Sequence, residues 1–315
     1  MRHAEDSTAV AGIDVAKAHL DVSIHGSDRV RRFERNPAGL RELTAWLKQR
    51  GVGRAGLEAS GGYERPVLHA LHRAGIDGVR HQPLEVRLFA RLNRIRAKND
   101  QIDARLIATL TADARTRVTV PCALQDELAE RLTAYEQVGE QLARLKTMCE
   151  HVHLDDVATT YAHLIEQTRA AKAALFDDLL ARIRDIPELA QRYDLLRSLP
   201  GVGPVTAAVL IVRMPELGTL QRGQAAALIG VAPFDHDSGE HKGRRAILGG
   251  RKRPRRFLYI AALAARRSCP DLAAFAQRLK DAAKPPKLIL VAIMRKLIEA
   301  ANIVLKRQTP WTLNA

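Results

Sequence analysis

Asp100 and Asp103, in "KNDQIDA", are two acids three residues apart, and they project from one face of any helix that begins there. Asp14 closes the apolar stretch "TAVAGID", and Glu58 closes "RAGLE". Four carboxylates brought to one point repel one another strongly unless cations neutralise them. Their hard oxygen donors suit Mg²⁺. Two such ions about 3.5–4 Å apart stabilise the attacking and leaving oxygens of an in-line phosphodiester displacement. Asp21 and Asp28 have no comparable placement and read as surface charges.

A second candidate lies far along the chain. Residues 236–256, "HDSGEHKGRRAILGGRKRPRR", hold Ser238 followed by eight Lys and Arg residues, with no acid after Glu240. The cations are Lys242, Arg244 and Arg245, then Arg251, Lys252, Arg253, Arg255 and Arg256. Ser238 is either a turn residue at the edge of a nucleic-acid grip or a nucleophile facing a phosphodiester that the cations hold. Serine is a weak nucleophile at its free pKa and needs a base or a metal to activate it. His236, His241 and Lys242 are nearby bases. Hydrolysis does not require a serine, because water serves. Rejoining does, because a phosphoserine ester keeps the phosphodiester energy without ATP. Ser60, beside Glu58 in "EASGGYE", is a rival that lacks a basic surround.

These residues need elements to gather them. "TAVAGIDVA", "HLDVSIHG" and "RVRRFERN" read as three strands, the last two alternating at period two in an antiparallel meander. "PAGLRELTAWLKQRG" reads as a helix with Pro at its start and Gly at its end. A strand ("RAGLEAS"), a helix ("YERPVLHALHRAG"), a short strand ("IDGVRH") and helical sequence to about Ala112 follow. That order is the α/β order of the ribonuclease H-like fold. In it, the ends of strands one and four lie side by side, with the last helix packed across them. Asp14, Glu58, Asp100 and Asp103 fall at those places.

The middle of the chain changes period. Leu128, Tyr135, Leu142 and Cys149 are seven apart, with Leu124, Val138, Leu145 and Val152 interleaved, and Arg131 interrupts the seam. "HVHLDDVATT" breaks this helix, and a second follows through Leu164, Leu175, Leu179 and Ile183. An antiparallel helical hairpin or a dimerising coiled coil is expected. His151, His153 and Asp155 read as its polar tip, since no further metal ligand is in sequence reach. From Leu195 the chain is mostly helical. "LPGVGPVTAAVLI" has the pattern of a helix–hairpin–helix, in which Gly201, Gly203 and the next helix's N-terminus meet a DNA phosphate. The last helix carries Lys287, Arg295 and Lys296, for which a solvated face and DNA contact are equally good readings. The expected domains are 1–118, 119–190 and 191–315.

Composition narrows the class. At 315 residues the chain holds two or three units, and 46% apolar residues exclude global disorder. A net charge of +15 points to a polyanionic partner, nucleic acid first, while 4% aromatics argue against a base-stacking platform. Cys122, Cys149 and Cys269 are scattered, and form neither a zinc cluster nor a disulfide framework. With no apolar leader, and with aliphatic runs such as "LILVAIM" too short for a bilayer, a cytoplasmic protein without a membrane partner is expected.

"GIDVAK", "LEASGGYE", "KNDQIDA", "LPGVGPVTAA", "LIGVAPFDHDSGEHKGRRAILGGRKRPRRFLY" and "VAIMRKLIEAAN" occur in one order. In order and spacing they resemble the insertion-sequence one-ten family of DEDD transposases, related to the pilin-gene invertase, over nearly the whole chain. The resemblance implies a RuvC-like N-terminal domain, a coiled-coil middle and a mainly α-helical C-terminal transposase domain. It maps the acidic tetrad onto Asp14, Glu58, Asp100 and Asp103 and the nucleophile onto Ser238, with the basic run as its phosphate cradle. It further implies Mg²⁺, a homo-oligomer, double-stranded donor and target DNA, and a structured bridge RNA that pairs with both. One departure is Ala-Ser-Gly after Glu58, where a Thr-Gly-type turn is common, which bears on how that loop packs.

Three functions follow from these features. The leading one is an RNA-guided recombinase that cuts and rejoins DNA through Ser238. A Mg²⁺-dependent nuclease or Holliday-junction resolvase without a covalent intermediate is the second. A non-catalytic nucleic-acid-binding protein is the third, and the intact acids and serine argue against it.

Overall fold

The computed structural model describes residues 8–94, 100–113, 117–234 and 246–312. By internal contacts the chain divides into two compact units, 1–126 and 127–315.

The first unit is built on one sheet. β1 (Ala9–Val15), β2 (His19–Ile24) and β3 (Val30–Glu34) form the expected antiparallel meander. β4 (Val52–Glu58) and β5 (Asp77–His81) add to the other edge of β1 in parallel, giving the order β3-β2-β1-β4-β5. That strand order and sense define the ribonuclease H-like fold. The parallel connections run through α1 (Pro37–Gln49) and α2 (Arg65–Arg73). The Asn36 side chain caps α1 by accepting a hydrogen bond from the Gly39 amide at 2.9 Å.

Alternation decides the two faces. Ala11 and Ile13 of β1, Leu20 and Val22 of β2 and Leu57 of β4 are fully buried, in one core with Leu43, Leu47, Val67 and Leu71 of the two helices. The intervening residues face the opposite way, where α4 (Asp100–Asp113) lies. α3 (Pro83–Leu92) precedes α4 and packs on it through Val86, with Leu106, Ile107 and Leu110 opposite. Gly12 and Gly56, register partners on β1 and β4, make room for α4. A Cβ on Gly12 would run into the Ala104 carbonyl and the Ala108 amide, and one on Gly56 into the Thr111 hydroxyl. The helix therefore rests directly on the sheet's main chain.

The second unit is almost wholly helical. α5 (Ala123–Cys149) starts in the first unit, where Asp126 meets Arg65 at 3.3 Å and His69 at 2.9 Å. It continues as one arm of a hairpin with α6 (Asp155–Arg184). Arg182 donates to Glu127 at 3.0 Å, Arg131 pairs with Asp178, and the Tyr135 and Phe176 rings stand 5.5 Å apart. As one arm ascends the other descends, so the pairing is antiparallel. Arg131, the interruption in the heptad seam, faces a carboxylate on the opposing arm. Leu128, Leu132, Tyr135 and Leu142 are buried, whereas Met148, Leu154 and Leu164 towards the tip are exposed.

Beyond the hairpin come α7 (Pro187–Arg197), α8 (Pro204–Arg213), the short α9 (Gln224–Ile229) and a two-stranded ribbon of β6 (Pro233–Phe234) and β7 (Ala246–Ile247). α10 (Lys252–Ser268), α11 (Pro270–Asp281) and α12 (Pro286–Arg307) complete the unit. α8 is buried continuously from Thr206 to Val212, and α12 buries Ile293, Leu297, Ile298 and Ala301. Among the described residues no helix is long and apolar enough to cross a membrane.

Candidate active site

Ile13 and Leu57 are register partners in the parallel pair β1/β4. The next residue on each strand is an acid, Asp14 on β1 and Glu58 on β4. Both follow by two residues a glycine that α4 covers, so both point to the α4 face. Each is partly buried. α4 opens at Asp100, and Asp103, one turn further on, is partly buried too. Of Asp100 the structure describes the backbone alone. The fold thus places the four predicted acids on two adjacent strand ends and on the first turn of the helix that covers them.

The row extends further than sequence indicates. On β2, Asp21 is the register partner of Asp14, and on β3, Arg32 is the register partner of Asp21. On β5, His81 is the register partner of Glu58. Across the five strands the residues read Arg32, Asp21, Asp14, Glu58, His81. Asp21 is 2% exposed. Its carboxylate accepts both donors of the Arg32 fork, from Nε at 2.8 Å and from Nη2 at 2.7 Å. The expectation that Asp21 is a surface charge is therefore corrected: register turns it under α4. Asp28 remains exposed, reached by Arg105 at 3.4 Å.

His81, 1% exposed, is hydrogen-bonded through Nε2 to the Thr111 hydroxyl of α4 at 2.8 Å. Burial pushes its pKa below the ordinary imidazole value, against a smaller opposing pull from Glu85. Its Nε2 is committed to α4. The loop after Glu58 is held by Glu64, 4% exposed, whose carboxylate accepts from the Ser60 amide at 3.1 Å and the Gly62 amide at 2.8 Å. The Ser60 hydroxyl donates to the Glu58 carbonyl at 3.0 Å. The Ala-Ser-Gly departure is thus packed by its own serine and by a buried acid four residues on.

Among the described residues no three His, Cys, Asp or Glu side chains stand where they could share a metal ion. The donor chemistry nonetheless fits Mg²⁺. Asp14, Glu58 and Asp103 offer only carboxylate oxygens, and all three belong to the interface between sheet and α4.

In the second unit, the described part of the basic run begins at Arg251. Its guanidinium donates to Glu216 at 2.6 and 2.9 Å and to the Arg213 carbonyl at 2.6 Å. Arg253 donates to Glu136 at 2.7 Å, and Arg255 to the Gly230 and Gly249 carbonyls at 2.9 Å each. Glu136, 8% exposed on its side chain, also receives Arg213 at 2.9 Å. These three arginines thus tie the start of α10 to α5, α8 and the α9 turn, while Lys252 and Arg256 are exposed. Gly201 has φ +73°, and a Cβ there would strike the Ala261 carbonyl and the Ala265 amide, so its turn backs onto α10. Gly203 is the N-cap residue of α8 and has open space around it. Lys287, Arg295 and Lys296 are exposed on α12, with the Lys296 ammonium 4.6 Å from the Phe275 ring centre. Ser238, Lys242, Arg244 and Arg245 lie outside the described residues.

A ribonuclease H-like sheet with acids at these strand ends and on the covering helix defines a class of phosphodiester-cutting and -transferring enzymes. Within it, the model of the DEDD transposase of IS110 elements matches residues 11–159, and that of the transposase IS116/IS110/IS902 family matches residues 193–277. The chain belongs to the IS110 family of DEDD transposases, enzymes of DNA recombination. The pilin gene-inverting proteins of Moraxella bovis and Moraxella lacunata are each 28% identical to it over 324 residues, covering 97% of this chain and 98% of theirs. Among solved structures, T. thermophilus RuvC in complex with Holliday junction substrate matches 36% of this chain and 99% of its own, at 14% identity and a TM-score of 0.27. The fold assignment rests on strand order and sense.

Proposed function

We propose that this transposase cuts and rejoins DNA through a covalent phosphoserine on Ser238, with Mg²⁺ held by Asp14, Glu58, Asp100 and Asp103. The observation that carries the reading is the pairing of Asp14 and Glu58 on adjacent parallel strand ends, beneath the helix that begins at Asp100. When bound, Mg²⁺ supplies positive charge to phosphate oxygens as negative charge develops on them. The Ser238 oxygen attacks phosphorus, a P–O(Ser) bond forms, and the displaced DNA oxygen leaves as a strand-end hydroxyl. In rejoining, a hydroxyl of another strand attacks the same phosphorus and frees the serine. Nothing is oxidised, and the count of phosphodiester bonds is unchanged. Lys242, Arg244, Arg245, Lys252 and Arg256 are the candidate contacts to backbone phosphate, and Gly203 a candidate main-chain contact.

Selection of donor and target by a bridge RNA, and work as a homo-oligomer, rest on the family resemblance. In the oligomer, Ser238 of one subunit acts with the acids of another. The test is to incubate the protein with nicked DNA and Mg²⁺, denature it, and look by mass spectrometry for a DNA adduct on Ser238. Cleavage without adduct would favour the hydrolytic nuclease. Oligomers mixed from Asp14→Ala and Ser238→Ala chains should regain adduct if the site is shared and none if it is not. Sequencing the RNA that copurifies tests guidance.

A further inference from the structure

Val86 is the buried residue through which α3 packs on α4, against Leu106, Ile107 and Leu110. Leu84 and Leu88 are each two residues from Val86, about 200° around the helix, so they face away from that contact. Leu92 extends the row by one more turn. The three leucines are 62%, 53% and 79% exposed. Single exposed leucines are ordinary on a protein surface, but three stacked one turn apart form an apolar stripe that calls for a cover.

The charges beside the stripe indicate which cover. Arg87 and Arg91 follow Leu84 and Leu88 by three residues each, so they line one edge of the stripe. Both are exposed. Arg87 donates through Nε to the Pro83 carbonyl of its own helix at 3.2 Å, and no carboxylate of the described residues pairs with either arginine. Glu85, the one acid of α3, turns back to the helix start, where it accepts from the Gln82 amide at 2.9 Å. A second copy of α3 would bring its own two arginines to the stripe, and like charges oppose that pairing. A nucleic-acid strand meets the same edge with the opposite charge. Where the duplex has opened, it also offers base faces against which apolar side chains wedge. The place fits as well: Leu106, which Val86 touches, is one turn beyond Asp103 on α4, so α3 borders the acids.

We propose that α3 guides the DNA strand beside the cut: Arg87 and Arg91 hold its backbone phosphates, and Leu84, Leu88 and Leu92 pack against bases that have left the stack. This inference rests on the reading that Asp14, Glu58, Asp100 and Asp103 are where DNA is cut. The two halves of the surface act through different physics. The arginines act through charge, which salt screens, and the leucines through contact with base faces, which it does not.

The experiment uses the full chain, with any RNA that copurifies, and a nicked duplex carrying 2-aminopurine beside the nick, a base that brightens when it leaves the stack. In EDTA, where a Mg²⁺-dependent site cannot cut, the parent should raise the fluorescence several-fold. Leu84→Ser/Leu88→Ser/Leu92→Ser should unfold at the parent's temperature, because the three side chains are exposed, and should leave the fluorescence at the level of free DNA. Arg87→Gln/Arg91→Gln should flatten the slope of log affinity against log salt by up to about 0.7 per contact on a single strand. No rise with the parent, or an equal rise with the leucine variant, overturns the proposal, and an unchanged slope removes the two arginines from it. A leucine variant that sediments as a smaller species than the parent, with the fluorescence unaltered, also overturns it, since a second copy then covers the stripe. Should the triple variant not fold, Leu88→Gln is read in the same way. In Mg²⁺, Asp14→Asn should lose cleavage and keep the fluorescence rise. Cleavage retained by Asp14→Asn overturns the acid reading and with it the placement of α3 beside the cut. Cleavage lost in Asp14→Asn, while the leucine variant brightens the DNA as the parent does, overturns the guide alone.

Discussion

The acid row of the first unit and the arginine run of the second are both dense in charge, and the protein uses them in opposite ways. On the sheet, strand register sets which charges are neighbours. Asp14 and Glu58 stand together because β1 and β4 are parallel and in step. In the run at 251–256, successive side chains leave the start of a helix in different directions. Three of them turn inward: Arg251 to Glu216, Arg253 to Glu136 and Arg255 to two carbonyls. A charge placed by a sheet can be assigned from topology. A charge on the first turns of a helix can be assigned only once its partners are known.

The sharpest break in this contrast is expected at the acids. Asp14→Asn or Glu58→Gln should lower Mg²⁺-dependent strand cleavage by about a thousandfold or more, the loss expected when charge stabilisation at a reacting phosphate is removed. DNA affinity, measured by a mobility shift, should change little. Full cleavage by either variant would remove that acid from the metal site.

A smaller effect is expected where an acid serves the fold. Glu136→Ala would leave Arg213, 18% exposed on its side chain, without its carboxylate and would free Arg253. The cost should be about 2–4 kcal/mol in urea unfolding. A loss below about 0.5 kcal/mol would mean that the Glu136 bridge is worth no more than a surface pair.

The arginine run can then be divided by salt. Replacing Lys252 and Arg256 with Ala should flatten the slope of log affinity against log salt by up to about 0.9 per phosphate contact on duplex DNA. Replacing Arg251 and Arg253 should lower the unfolding temperature and leave the slope alone. An inverted result would mean that the internal pairs open when DNA binds.

The smallest expected effect belongs to His81. Its native pKa is lowered by burial, so the folded chain binds fewer protons there than the unfolded chain. Its contribution to stability is complete above the unfolded value, near 6.5, and is lost as pH falls from there towards the native pKa. Unfolding free energies between pH 7.5 and 5 should decline less steeply in His81→Asn than in the parent. Parallel declines would assign the acid sensitivity to other groups.

Much of the first unit was legible in the sequence, and for a physical reason. Period-two alternation, the Pro that opens α1 and the apolar run ending at Asp14 are local signals, and a right-handed parallel crossover leaves few ways to assemble them. What escaped was non-local. Nothing in "HLDVSIHG" says that Asp21 will be covered, because that depends on its pairing with Asp14 and on where α4 lands. Nor does "GGYERP" show that Glu64 will clasp the amides of Ser60 and Gly62. Arg251 and Arg253 look like any other cations of the run until Glu216 and Glu136 arrive from 35 and 117 residues away. The heptad seam reads equally as a hairpin or as a dimerising coil. The Glu127–Arg182 and Arg131–Asp178 pairs show that the lower part of the seam closes within the chain.

Gly12 and Gly56 carry one more consequence. They are side by side on β1 and β4, and at both the clearance to α4 is less than one methyl group. A single added carbon at either place would act as a shim, lifting the helix that bears Asp100 and Asp103 away from the strands that bear Asp14 and Glu58. Every acid would still be present, and the gauge between the two halves would be wrong. A descendant of this chain with an alanine at either place would keep all four acids of the proposed metal site and lose their spacing.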